Sequence, residues 1–481
     1  MPHMKGVAVA QEYKLFVGGE WRVSSRKMEV KNPYNGEVVG LVNLATEEIM
    51  EEALSKADTA FHVTKSLPAY ERSKILADVS SKLAERRADI ARIMSLESGK
   101  PIKDAEAEVD RAIFTFKVAS SEAERFGGDL IPMDLIPGSE GRIAILRRFP
   151  IGPTLGICPF NFPLNLVVHK VAPALAVGNP IIIKPASATP LTSLKLAEIA
   201  AETSLPPGGA SFLPCPSSLA ERVLQDDRIK KFTFTGSSDV GWRLKELVPK
   251  KKVTLELGGN AALIVHSDGD LSYAIPRAVY GAFYYAGQSC ISIQRIFVHQ
   301  DIFDEFTSEF LKRVGALKVG DPLDRNTDVG PMIDETAAKR AEEWIGEAVE
   351  GGAEILIGGR RERNILEPTV LTQVKPDMKV SCQEVFAPVV TLDPYSSFEE
   401  VIRLVNSSPY GLQAGLFTRD LERILYAYRE IEVGGVIIND VPTYRVDHMP
   451  YGGMKDSGFG REGVKYAMEE MTEPKLLVLR V

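Results

Sequence analysis

Between Pro153 and Gly259 short apolar runs at 154–158, 181–184, 210–213, 231–235 and 253–257 alternate with helical stretches across short connections. Strands that are apolar on both faces and separated by helices can bury themselves in few ways. The economical one is a parallel sheet covered by helices on both sides, with ligands taken at the carboxyl ends of the strands. A second alternating unit begins at Ala261, with strands expected at 263–266, 296–299, 355–357, 389–392 and 435–439 and helices at 271–286, 303–314, 335–349 and 398–406. The fold class expected is therefore α/β, with two parallel-sheet domains and a boundary just after Gly259.

The flanking segments have a different character. Residues 13–30 read as short strands turning at Gly18 and Gly19, and then the period becomes helical. Met50, Leu54, Ala57 and Phe61 share one helix face, and Ile75, Leu76, Val79 and Leu83 another. A third helix should stop at Gly99, which suits a left-handed cap, with Pro101 preventing continuation. A fourth runs to about Phe126. Gly127 to Pro150 is punctuated by Pro and Gly, and its stretch 142–149 suits an exposed hairpin or edge strand where subunits join. Residues 475–481 (KLLVLRV) read as a final strand in need of a partner, which another subunit could supply.

Composition excludes several functions. At 481 residues, 44% hydrophobic and 25% charged, the chain can bury a large core, and its net charge of -8 with no basic block argues against nucleic-acid binding. No apolar run approaches the ~20 residues of a membrane span. The opening MPHMKGVAVAQEYK holds too short an apolar patch for a secretory signal, so a cytoplasmic location is expected. Cys158, Cys215, Cys290 and Cys382 lack CxxC spacing, which argues against a zinc cage or disulfide framework and implies no metal.

Cys290 is different in setting from the others. It lies in YAGQSCISIQR, framed by Gly287 and small or polar residues and followed by a strand, which is the placement of a nucleophile. Gly236 and Ser237 end the strand at 231–235 and open a helix, where amide groups, a hydroxyl and the helix dipole can meet a phosphate. Gly236 could equally be a simple tight turn. Lys184 leaves an apolar strand at the ligand edge, where it can reach a ribose or a phosphate, although a solvated strand end is the usual fate of such a lysine. What joins these residues is their company: PFNFP at 159–163, Lys184 with Pro185, FTGS at 234–237, LELGG at 255–259, GQSC at 287–290, EVFAP at 384–388 and PYGG at 450–453 with Ser457 and Gly458.

In this order and spread the set resembles the aldehyde dehydrogenase superfamily across nearly the whole chain. The resemblance implies that Cys290 is the nucleophile, passing through a thiohemiacetal and a thioester, and that Glu256 is the general base. It implies that Asn161 supplies the side-chain half of an oxyanion hole beside the Cys290 N–H, and that Lys170 serves positioning or proton movement. Cys158, Cys215 and Cys382 should be buried and inert. Cofactor contacts carry over to Phe160, Lys184, Ser187, Gly236, Ser237, Gly258, Glu384 and Phe386. Many NAD-preferring members have Glu three residues after the lysine, whereas this chain has Ser187, so NADP should be accepted and preferred, with NAD as the alternative.

On the substrate side the resemblance marks Phe162, His169, Ser289, Ile291 and Arg445. His169 stands where many members have Trp, which implies a more polar tunnel, and Arg445 could meet a hydroxyl or carboxylate or be a surface arginine. GQSCIS, VIIND and MPYGGMKDSGFGREGVKYAMEEM look most like the lactaldehyde branch, near succinate-semialdehyde and non-phosphorylating glyceraldehyde-3-phosphate dehydrogenases. The expected activity is oxidation of a small polar aldehyde to its acid. A CoA-acylating member and a catalytically silent relative are the rival readings, and esterase action is expected only as a side activity. The fold implied is three-part: a Rossmann-like cofactor domain (1–126, 147–259 and 441–466), a catalytic domain (260–440) and a small β oligomerisation element (127–146 and 467–481) serving a homodimer or homotetramer.

Overall fold

The structure, a computed structural model, describes residues 11–481. The opening MPHMKGVAVA, part of the stretch read as too short for a signal, lies outside the described residues. The first alternating unit forms the centre of an eight-stranded sheet, in the order Gly458–Phe459, Lys252–Glu256, Lys231–Thr235, Thr154–Ile157, Ile181–Lys184, Ala210–Phe212, Leu15–Val17, Glu20–Arg22. The middle strands are parallel and the flanking ones antiparallel. Helices cover both faces, so Thr154–Ile157, Ile181–Lys184 and Lys231–Thr235 are buried along their whole length, which is why they read as continuous apolar runs.

The second unit forms a seven-stranded sheet ordered Glu354–Ile357, Thr369–Thr372, Val389–Tyr395, Ile293–His299, Ala261–Val265, Gln413–Phe417, Gly435–Ile438. It is parallel except for its Glu354–Ile357 edge. The sequence reading lacked Thr369–Thr372 and Gln413–Phe417. The second of these, QAGLF, is fully buried, and its central Gly415 is required because a Cβ there would come within 2.9 Å of the Asp440 carbonyl oxygen.

The helix expected over 271–286 stops at Phe283, because Tyr285 and Ala286 adopt left-handed backbone angles (φ 47° and 53°). Tyr285 is locked there by full burial and by its hydroxyl, which donates to the Ser98 carbonyl oxygen at 2.9 Å. Gly99 does end its helix in the left-handed region, at φ 72°. The terminal strand Thr472–Arg480 has a partner within the chain. It pairs antiparallel with Arg142–Pro150 along its full length. Arg142–Pro150 is consequently a central strand, and Gly128–Pro132 and Thr472–Arg480 form the edges. This small sheet leaves Leu130, Leu476, Leu477, Val478 and Leu479 exposed.

Candidate active site

Cys290 sits on the loop between the helix Leu271–Phe283 and the strand Ile293–His299. Two glycines let that loop approach its neighbours. A Cβ on Gly259 would lie 2.0 Å from the Cys290 carbonyl oxygen, and one on Gly287 (φ 68°) 2.1 Å from that of Ala387. The LELGG turn, the Cys290 loop and the EVFAP segment are thereby pressed together. Between them lies a cavity of about 460 Å³ lined by Cys290, Asn161, Phe160, Gly236, Ser237, Gly258, Glu384 and Phe386, all marked from the sequence. Gln288 and Arg340 also line it and were missed.

The thiol and the carboxyl expected to act on it are both shifted toward their protonated forms by burial. Burial pushes the Cys290 thiol up to about 11, although a contact with Tyr451, whose Oη lies 3.2 Å from Sγ, works in the opposite direction. Glu256 ends the strand Lys252–Glu256 with both carboxyl oxygens buried and unbonded. Burial and the nearby Glu462 carboxylate push it well above the ordinary carboxylate range. A carboxyl raised in this way is a stronger base once ionised. Asn161 donates from Nδ2 to the Gln288 carbonyl oxygen at 3.1 Å, which fixes the amide and leaves its second N–H uncommitted.

Behind these groups runs a buried ionic chain. Lys170 donates to Thr235 Oγ1 at 2.6 Å and to Glu462 Oε1 at 3.1 Å. Glu462 Oε2 meets Arg445 Nη2 at 3.3 Å, and Arg445 also reaches His169 Nδ1 at 3.1 Å. His169 Nε2 faces Asp447 Oδ1 at 2.8 Å, and Asp447 in turn binds Arg111 at 2.8 Å. Burial works to raise Glu462, but Lys170, His169 and Arg445 hold it well below its usual range. Arg445 is thus a buried, carboxylate-paired group and not a surface arginine. His169 is buried in the same chain. Tyr451, Glu462, Asp447 and Arg111 were not singled out from sequence, although Tyr451 and Glu462 fall inside the quoted 449–471 motif.

The loop carrying Asn161 and Phe162 is fixed from below. Lys100 and Glu108 form a fully buried ion pair, and Glu108 Oε1 accepts from the Leu164 and Asn165 amides at 3.0 Å each. Lys100 Nζ lies 3.9 Å from the Phe162 ring centre and 4.5 Å from that of Tyr285. Ser289 and Ile291 flank Cys290 and are buried, with Ile291 packed against Leu412 and Tyr451. All four cysteines are free, and Cys158 and Cys215 are buried as expected. Cys382 is only half-buried, because the short helix Lys379–Cys382 lies at the surface and its Sγ is held just by the Asp377 carbonyl, 3.5 Å away.

The cavity fits a dinucleotide. Ser237 caps the helix Ser238–Glu246 without a side-chain bond to it, so its hydroxyl and the first amides of the helix are available to a phosphate. Glu384 accepts from the Gly259 amide at 2.9 Å, and burial pushes its carboxyl up to about 7. A Cβ on Gly258 would meet Glu384 Oε2 at 2.6 Å, so a larger residue there would displace the Glu384 carboxyl. Phe386 stands edge-on to Phe160, with ring centres 5.9 Å apart. Lys184 is buried at its strand end and Ser187 is exposed nearby, both outside the lining of the cavity. Among the described residues no group of three or more His, Cys, Asp and Glu side chains is placed to hold a metal. No helix there is long and apolar enough to cross a membrane.

Residues 21–477 match the family model described as the aldehyde dehydrogenase family. A 3-sulfolactaldehyde dehydrogenase of Priestia aryabhattai is 45% identical over 479 residues, covering 99% of this chain and 100% of the relative. Among solved structures, aldehyde dehydrogenase 21 from Physcomitrella patens, in complex with the reaction product succinate, superposes with a TM-score of 0.97 at 45% identity. That match covers 98% of this chain and 99% of the other. The glyceraldehyde-3-phosphate dehydrogenase GapN of Methanocaldococcus jannaschii, complexed with NADP, gives a TM-score of 0.91 at 38% identity and covers 95% and 100%.

Proposed function

This chain belongs to the aldehyde dehydrogenase family, and from that premise we propose that it oxidises a small aldehyde carrying a hydroxyl or anionic group to the acid, through a thioester on Cys290. The observation that carries the reading is a buried carboxyl close enough to act on Cys290, Glu256, whose oxygens have no hydrogen-bond partner. Glu256 takes the thiol proton, directly or through water, and the sulfur attacks the aldehyde carbon. The developing oxyanion is met by the uncommitted N–H of Asn161 and the Cys290 amide. NAD(P), held by Phe160, Lys184, Ser187, Gly236, Ser237, Gly258, Glu384 and Phe386, supplies the hydride acceptor. Glu256 then activates the water that cleaves the acyl–sulfur bond, and Lys170 holds the Glu462 side of the site. NADP is the preferred form, because Ser187 presents no carboxylate to a 2'-phosphate.

The substrate end takes a polar or anionic tail through Phe162, His169, Ser289, Ile291 and Arg445. Arg111, Arg445 and Lys170 face the carboxylates of Asp447 and Glu462 here, and burial shifts the third nearby carboxyl, Glu256, toward its neutral form. Lactaldehyde, glyceraldehyde, glyceraldehyde-3-phosphate, succinate semialdehyde and 3-sulfolactaldehyde all fit that class. The protein assembles as a homodimer or homotetramer through the small exposed sheet. The test is NADPH and NADH formation with each of these aldehydes and with propionaldehyde, without CoA, against Cys290→Ala. An anionic substrate should exceed propionaldehyde in kcat/KM by about tenfold or more. Propionaldehyde as the best substrate would contradict the polar-tail reading.

A further inference from the structure

Tyr451 is buried, and its hydroxyl has the Cys290 sulfur, 3.2 Å away, as its hydrogen-bond partner. Its position is set on three sides. Its backbone pairs with Glu462 in both directions, at 3.0 and 2.7 Å. Its ring lies against Ile291 and Leu412. The Arg445 guanidinium stacks on that ring, with its carbon 3.5 Å from the ring centre, and is itself held by Glu462. A phenol with a cation on its ring face, aimed at a nucleophilic sulfur, is more than packing.

We propose that Tyr451 is a catalytic residue, whose phenol O–H donates to the Cys290 sulfur and stabilises the thiolate before attack. In the resting thiol either atom can donate. Once Glu256 has removed the sulfur's proton, only the phenol has one to give. The phenol keeps it, since burial pushes Tyr451 well above 10, with the neighbouring Cys290 and Glu256 acting in the same direction and Arg445 opposing them. The charged or titratable groups facing Cys290 are Tyr451, Glu384, Arg445 and Glu256. Tyr451 is the one among them that hydrogen-bonds the sulfur.

The size of the effect follows from two opposing trends. A hydrogen bond to a charged group lowers the thiol pKa by about one unit or somewhat more. The thiolate fraction then rises about tenfold at neutral pH, while each thiolate becomes about threefold less nucleophilic. The net gain is about threefold below the thiol pKa, and it reverses above it.

This inference rests on the reading of Cys290 as nucleophile, and its test separates the two. The rate of alkylation by iodoacetamide would be measured between pH 6 and 12 on the full-length protein, with Cys290→Ala subtracting reaction at Cys382. Absence of Cys290-dependent alkylation in the wild type would remove the nucleophile reading itself. With that alkylation present, Tyr451→Phe should raise the apparent pKa by about one unit and slow the reaction about threefold at pH 7, with the two profiles converging and crossing as the thiols ionise. A residue that merely packs would leave the profile's midpoint in place. Should Tyr451→Phe fail to fold, 3-fluorotyrosine in place of Tyr451 keeps the ring and makes the phenol a stronger donor. It should move the midpoint down. An unmoved midpoint in either folded variant overturns the proposal.

Discussion

Glu256 concentrates the site's compromise in one side chain. Its ordinary pKa is about 4.3, and the fold raises it by burying both oxygens beside Glu462. A carboxyl raised in the folded state costs stability increasingly as pH climbs from the unfolded pKa toward the folded one. Glu256→Gln removes that cost together with the base. We expect turnover to fall at least about a hundredfold while the melting temperature at pH 7.5 is unchanged or higher, read by steady-state kinetics and calorimetry on the same sample. A lower melting temperature would mean that the carboxylate is structural. In the proposed reading, cofactor choice turns on Ser187. Ser187→Glu should weaken NADP binding by about tenfold and leave NAD nearly unaffected, as measured by fluorescence titration at fixed salt. These residues were legible because each lies inside a local motif. Tyr451 and Glu462 lie inside one too, yet their roles come from partners more than a hundred residues away in sequence, Cys290 and Lys170.

At the level of elements, the Lys100–Glu108 pair ties the end of one helical segment to the next and caps the helix Asn165–Val177, which carries His169 and Lys170. Removing one partner leaves a buried charge without its counterion. Lys100→Met should therefore destabilise the protein by about 3–5 kcal/mol in urea unfolding, and adding Glu108→Gln should recover part of that loss. Full additivity of the two changes would contradict the pairing. The same pair shows where sequence reading stops. Its helices were readable from periodicity, but the pairing of Lys100 with Glu108 between them depends on tertiary burial. The strands Thr369–Thr372 and Gln413–Phe417 escaped for a related reason, since fully buried strands carry no alternation and QAGLF has a small-residue centre. Tyr285 ended its helix early because a hydroxyl bond to Ser98, remote in sequence, fixed it in a left-handed conformation.

Across the whole molecule, the α/β class was readable because buried parallel strands separated by helices leave a strong imprint on the chain. The pairing of the last strand was not, because a strand's partner is set by where the chain returns in space. That terminal strand closes the small sheet from within the chain and still leaves Leu477 and Leu479 exposed, about 52% and 43% accessible. Leu477→Lys with Leu479→Lys should shift light-scattering mass toward the monomer, and an unchanged mass would place the subunit contact elsewhere. The central claim is that the carbon being oxidised is carried on Cys290 and released by water that Glu256 activates. Mass spectrometry of Glu256→Gln after mixing with NADP and the best aldehyde tests it most directly. The account predicts an acyl mass on the peptide containing Cys290, building up in the variant and cleared in the wild type. An unmodified Cys290 peptide in the variant, with turnover persisting in Cys290→Ala, would contradict it.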